Sequence, residues 1–243
     1  VTLQEDLPLF PLEVVSFVPS PWPSADLKEL ARTADGHDFA AKWEHEGAGL
    51  PASEWLGHQL AKACQIATPF TATLHHGGAH GFGSRIEGAV SSFKDLPPPE
   101  RAQVVADCGP AMSALLALDV FCGNEDRHLG NWLFRRNLAG QWVPLCIDFS
   151  RALFRRGFPA DVWPLPNCNT ITTIALMKTS GRWDGPYAVF AVEQLQRVTP
   201  AVLEHWMAEC PLQWLPQASR TALLSWWSSP AYHARLQATY GLL

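Results

Sequence analysis

The chain is short of charge, and the charge it carries is not positive. Only 17% of its 243 residues are Asp, Glu, Lys or Arg, and the formal net charge is −5 at pH 7. Phosphate-rich partners attract basic surfaces, so the balance excludes an electrostatic case for nucleic acid and disfavours anionic membrane surfaces. No continuous apolar run approaches the roughly 20 residues that span a bilayer. The first residues show no basic region followed by an apolar signal core, and a cytoplasmic protein is expected. The six cysteines are scattered without a Cys-x-x-Cys pair. That spacing argues against the common metal frameworks and predicts buried free thiols, as in a reducing compartment. Repeats and low-complexity segments are absent too. What is there is a globular composition, 47% apolar, in a chain long enough for one large domain or two lobes sharing a cleft.

One stretch, Ala117 to Phe154, places two polar clusters amid apolar runs. The first runs from Asn124 to Asn131 through Glu125, Asp126, Arg127 and His128; the second is Asp148-Phe149-Ser150. Unpaired charge is costly inside a packed protein, so such clusters mark a site. Trp132 to Phe134, a turn at Asn137 to Gly140, and Trp142 to Ile147 predict a β-hairpin. It would carry Asn131 at its entrance and Asp148 at its exit, on one end, with Asp126 close by. Phosphoryl transfer from ATP needs such a set: a carboxylate to orient the attacking hydroxyl and two oxygen ligands for Mg²⁺. The alternative is a polar loop capping a helix, with Asp126 paired to Arg127 or His128. It leaves the second cluster unexplained.

Asp-x4-Asn followed by Asp-Phe resembles the catalytic loop and metal-binding segment of protein kinases, with Ser150 where that motif has Gly. Asn-x-Asp-Arg-His-x-x-Asn followed by Ile-Asp-Phe-Ser is more similar to the HipA-like kinases, and distantly to the phosphoinositide kinases. The resemblance implies Asp126 as the catalytic aspartate, Asn131 and Asp148 as metal ligands, ATP and Mg as cofactors, and a protein Ser/Thr acceptor. It also gives Lys42, late in a strand predicted over Asp38–Glu44, the place of the ATP-binding lysine. Glu54, in a helix begun by Pro51, takes the place of the glutamate that positions that lysine. An acidic residue in a first helical turn also favours the helix dipole without any partner, and both readings stay open.

The fold expected is α+β and bilobal, protein-kinase-like: a small β-rich N-lobe over residues 1–85, a hinge over 86–96 and a helical C-lobe over 97–243. The Gly-rich phosphate loop of common kinases is missing; the proline-broken run Pro19 to Ser24 stands there, with Ser20 and Ser24 as weak phosphate candidates. The His75–Gly83 run does not open a helix after a strand, so it is expected to be a hairpin turn rather than a dinucleotide loop. Gly109-Pro110 is expected to split the helical pattern from Arg101 to Gly123 in two. Arg155 and Arg156 are candidates for phosphate or acidic substrate. Thr199-Pro200 predicts a helix start, and the tryptophans beyond it predict core. A lipid or small-molecule kinase would use the same motif. A catalytically inactive nucleotide-binding module, with or without a regulatory protein partner, is the rival of a different class.

Overall fold

The computed structural model describes residues 11–20, 27, 29–47, 49–154 and 166–243. Strand β1 (Leu12–Pro19) pairs antiparallel with β2 (Glu29–Thr33), and β2 with β3 (Asp38–Trp43). Asp35 closes the β2–β3 turn: its Oδ1 accepts from the Thr33 hydroxyl at 2.5 Å and from the His37 N–H at 3.3 Å. Strands β4 (Thr71–His76) and β5 (Ala79–Arg85) complete a closed barrel in the order β1-β2-β3-β5-β4, because β1 also runs parallel to β4.

The histidine- and glycine-rich run expected to be a turn is mostly strand. The loop shrinks to Gly77-Gly78, at φ +57° and +84°, since two left-handed residues match the twist of the paired strands. The histidines serve this framework: His75 Nδ1 lies 2.7 Å from Glu13 Oε2, and His76 Nδ1–H donates to the Val14 carbonyl at 3.0 Å. Val14, Ala31, Phe39, Trp43, Ala72 and Leu74 fill the barrel. A Cβ on Gly81 would come within 2.7 Å of Trp43, and one on Gly83 within 2.8 Å of Leu74, so these two positions make room for the barrel core.

Helix α1 (Leu50–Ala63) has Pro in its first turn, as expected. Its burial exceeds a single apolar stripe: every residue from Pro51 to Ala61 is buried. Barrel strands cover one side, and on the other Trp55 Nε1 donates to the Trp206 carbonyl at 3.0 Å. Leu56, Leu60, Ala61 and Cys64 join the larger, helical core rather than the barrel core.

Helix α2 (Pro98–Cys122) is one unbroken 25-residue element, correcting the expected split at Gly109-Pro110. Pro110 removes one N–H, yet burial of the following turns holds the axis together. Gly109 admits the Arg182 carbonyl, which a Cβ would meet at 2.9 Å. The helix is long and apolar enough to cross a membrane, but 72% of that window is buried inside the protein.

A second sheet follows in the order β6 (Ser91–Ser92), β7 (Trp132–Arg136) and β8 (Trp142–Cys146). The remainder is helical: α3 (Asn169–Thr179), α4 (Gly185–Gln196), α5 (Pro200–Ala208), α6 (Gln217–Trp227) and α7 (Pro230–Leu242). Thr199 caps α5 as predicted, its Oγ1 accepting from the Val202 N–H at 3.3 Å. Phe121, Trp226, Trp227 and Tyr232 meet edge to face in four of their pairs, with centroids 5.6–5.9 Å apart. All six cysteines are free and all but Cys168 are buried. Among the described residues 49% are helix and 21% strand, with most strands gathered in the N-terminal part and most helices in the C-terminal part.

Candidate active site

The β7–β8 hairpin forms where the sequence predicted it. Asn137 Oδ1 accepts from the N–H groups of Ala139 and Gln141, both at 3.0 Å, and Gly140 takes φ +77°. Trp132 pairs with Cys146 at the open end, so Asn131 enters and Asp148 leaves on the same side.

What fixes that end is Arg127, whose side chain is 0% exposed. Its Nη1 donates to the carbonyls of Asn131, at 2.8 Å, and Ile147; Nη2 donates to the carbonyl of Asp148 at 3.1 Å. One guanidinium therefore grips the backbone of Asn131 and of Asp148 together. Its counter-ion is Asp119 in α2, reached by Nε at 2.7 Å and by Nη2 at 3.1 Å in a two-pronged pair. Phe149 and Trp132 put their rings 5.2 and 5.9 Å from the guanidinium carbon.

The side chains then divide by role. Asn131 Nδ2 donates to the Asp126 carbonyl at 2.8 Å, which leaves Oδ1 without a bond among the described residues. Asp148 takes φ +65°, a left-handed conformation that Asp tolerates better than most residues. Its Oδ1 accepts from the Ser150 hydroxyl at 2.5 Å and from the Ser150 N–H at 3.3 Å. Serine in place of glycine thus tethers the carboxylate. Burial favours the neutral form of Asp148, but the Ser150 hydroxyl, then Lys42 and Arg127, outweigh it and hold the carboxyl below its usual range. Asp126 is engaged on both oxygens: Oδ1 accepts from Asn169 Nδ2 at 2.7 Å, and Oδ2 lies 3.3 Å from Arg151 Nε. Arg127 and His128 do not pair with it; His128 Nδ1 accepts instead from the Gly130 N–H at 2.9 Å.

Lys42 and Glu54 are not bonded to each other. Lys42 makes no hydrogen bond or ion pair among the described residues. Glu54, fully buried, accepts from the Phe149 N–H at 2.9 Å through Oε2, so it braces the residue after Asp148. Burial first, then the charge of Asp148, push its carboxyl up to about 7, against the Phe149 N–H, Lys42 and Arg127. Lys42 therefore acts on Glu54 and Asp148 through space. One turn on, His58 Nδ1–H donates to the Glu54 carbonyl at 2.8 Å, and burial pushes the imidazole down to about 4. Gly57 completes this contact: a Cβ there would lie 2.2 Å from the Phe149 ring.

The sequence reading missed Asp119, Arg151 and Asn169, as well as Thr170 and Thr173. The Thr170 hydroxyl accepts from the Arg127 N–H at 3.1 Å and donates to the Asn124 carbonyl, while the Thr173 hydroxyl donates to the Arg127 carbonyl at 2.9 Å. The start of α3 is thereby pinned to the Asp126 loop. Of the phosphate candidates, Ser20 is buried at the end of β1, whereas Ser24, Arg155 and Arg156 lie outside the described residues. A cavity of about 570 Å³ opens at one end of the barrel, walled by Phe17, Ala41, Trp43, His45 and Leu50, and it reaches Lys42 but not Asp126, Asn131 or Asp148.

Among solved structures the chain is similar to the Helicobacter pylori proinflammatory kinase CtkA, with a TM-score of 0.56 and 11% identity over 88% of this chain and 92% of that one. HipA of Shewanella oneidensis MR-1, solved with HipB and operator DNA, aligns with a TM-score of 0.48 and 14% identity over 84% of this chain and 57% of that one. No family model and no curated protein matches the sequence. At 11% identity the likeness is one of fold alone, shared with a protein that is a kinase.

Proposed function

We propose that the chain is an ATP- and Mg-dependent kinase, HipA-like, that phosphorylates serine or threonine on a protein. One observation carries this reading: a single buried guanidinium, Arg127, gathers Asn131 and Asp148 beside Asp126. The donor set suits a hard cation. Asp148 is held ionised with Oδ2 unbonded among the described residues, and Asn131 turns its amide oxygen away from its own hydrogen bond. Asn131 and Asp148 would hold Mg²⁺, which when bound neutralises charge on the phosphates. Lys42 would hold phosphate; Glu54, through the Phe149 N–H, keeps the Asp148 segment seated. Asp126 orients the acceptor hydroxyl and receives its proton. Two lobes, over residues 1–85 and 97–243 with a hinge between, would close on the nucleotide. The free cysteines fit a cytoplasmic setting.

The test is γ-labelled ATP with Mg²⁺, wild type beside Asp126→Asn, reading label on the protein itself and on a mixed protein extract. Label that depends on Asp126 supports the reading. Mg-ATP binding by thermal shift without label on any protein favours a lipid or small-molecule acceptor or an inactive nucleotide-binding module. No binding at all refutes it.

A further inference from the structure

Arg151 is a cation that the kinase motif does not supply. It stands three residues after Asp148, in a turn fixed on both sides: Ser150 is tied to Asp148, the Ala152 N–H donates to the Phe149 carbonyl at 2.9 Å, and the Leu153 N–H donates to the Cys122 carbonyl at 2.9 Å. Ala152 and Leu153 are buried, so the backbone of Arg151 has little freedom. Its side chain is 42% exposed and reaches across to Asp126 with Nε, 3.3 Å from Oδ2. The two terminal nitrogens make no hydrogen bond among the described residues. The guanidinium thus lies against the carboxylate that would hold the acceptor, on a turn that begins three residues earlier with the one that would hold the metal.

We propose that Arg151 is a second catalytic residue, an arginine supplied in cis whose terminal nitrogens meet the phosphoryl group as it moves from ATP to the acceptor hydroxyl. The proposal rests on the kinase reading above. In the step, the acceptor oxygen bonds to the γ-phosphorus while the bond from that phosphorus to the β–γ bridging oxygen breaks. ADP leaves with the electron pair, and the hydroxyl proton passes to Asp126. Charge spread over the equatorial phosphoryl oxygens is what a fixed guanidinium stabilises, and donors of this kind act more strongly on the transition state than on bound ATP.

Arg151→Ala, checked for an unchanged Tm, is expected to lower kcat by about 10²–10³-fold with little change in the KM for ATP. Arg151→Lys retains part of the rate, and added guanidinium restores part of it to Arg151→Ala, which a merely structural side chain would not permit. A binding readout runs beside the kinetics: ADP with aluminium fluoride, a mimic of the phosphoryl in flight, binds Arg151→Ala more weakly than wild type, while ADP alone binds both equally. A kcat within about threefold of wild type, alongside an inactive Asp126→Asn, overturns the role of Arg151 and leaves the kinase reading standing. Absence of any Asp126-dependent transfer in the wild type overturns both.

Discussion

Replacing Asp119 by Asn removes one charge from a pair in which both side chains are 0% exposed. In the wild type, Asp119 Oδ2 accepts from Arg127 Nε at 2.7 Å, and Oδ1 accepts from Arg127 Nη2 at 3.1 Å and from Asn124 Nδ2 at 2.8 Å. Whichever way an amide turns here, its NH₂ faces a donor. The guanidinium would keep its three carbonyl acceptors but lose its counter-ion. Stranding a buried charge costs about 3–5 kcal/mol, and the surviving carbonyl bonds favour the lower end. For a chain of this size each kcal/mol is worth about 2–4 °C, so Tm should fall by about 6–12 °C in a calorimetric melt. Asp119→Leu with Arg127→Met removes both charges together and should recover part of the loss. The remainder reflects the carbonyls of Asn131, Ile147 and Asp148 left without their donor. A Tm for Asp119→Asn within about 2 °C of wild type would refute the view that this pair anchors the site.

Glu54→Gln tests the buried carboxyl. Its folded pKa, about 7, lies above the ordinary value of 4.5, so its stabilising contribution is full below 4.5 and is lost as pH rises through 7. The variant should therefore gain about 3 kcal/mol relative to wild type between pH 4.5 and 8 in urea melts; a pH-independent difference contradicts this. His58 works the other way, stability falling as pH drops from 6.5 toward 4, and it is common to both proteins. Gly57→Ala drives a Cβ into Phe149 and should destabilise by about 1–3 kcal/mol despite the helix preference for Ala; a stabilised variant would show that α1 and Phe149 are not in contact. Asp148→Asn should abolish the Mg²⁺-dependent part of ATP binding while sparing any Mg²⁺-independent part, read by calorimetric titration with and without the ion.

The features legible in the sequence are the local ones. The β7–β8 hairpin follows from alternation and a turn within sixteen residues of chain, Trp132 to Ile147, and it fixes where Asn131 and Asp148 emerge. Partners distant in sequence left no such trace. Arg127 stands next to Asp126, yet it pairs with Asp119, eight residues upstream in the last turn of α2, because both face the interior. Asn169 reaches Asp126 from 43 residues away. On sequence alone Glu54 suits either Lys42 or the helix dipole, and its bond to a backbone N–H is invisible to any side-chain pattern. Pro110 illustrates the converse: a strong local breaker was overridden by burial along the rest of α2.

The burial of α1 on every side bears on how the chain is made. Its partners come late: the Trp55 bond to the Trp206 carbonyl spans 151 residues, and the Cys64 thiol donates to the Ala191 carbonyl across 127. While the chain is being synthesised, α1 leaves the ribosome long before α4 and α5 exist to cover it. It then carries Trp55, Leu56 and Leu60 unshielded, and closing such long loops is slow. The nascent protein is therefore a natural client for chaperones. A fragment ending before α2 would keep that apolar face for good and should aggregate rather than fold alone.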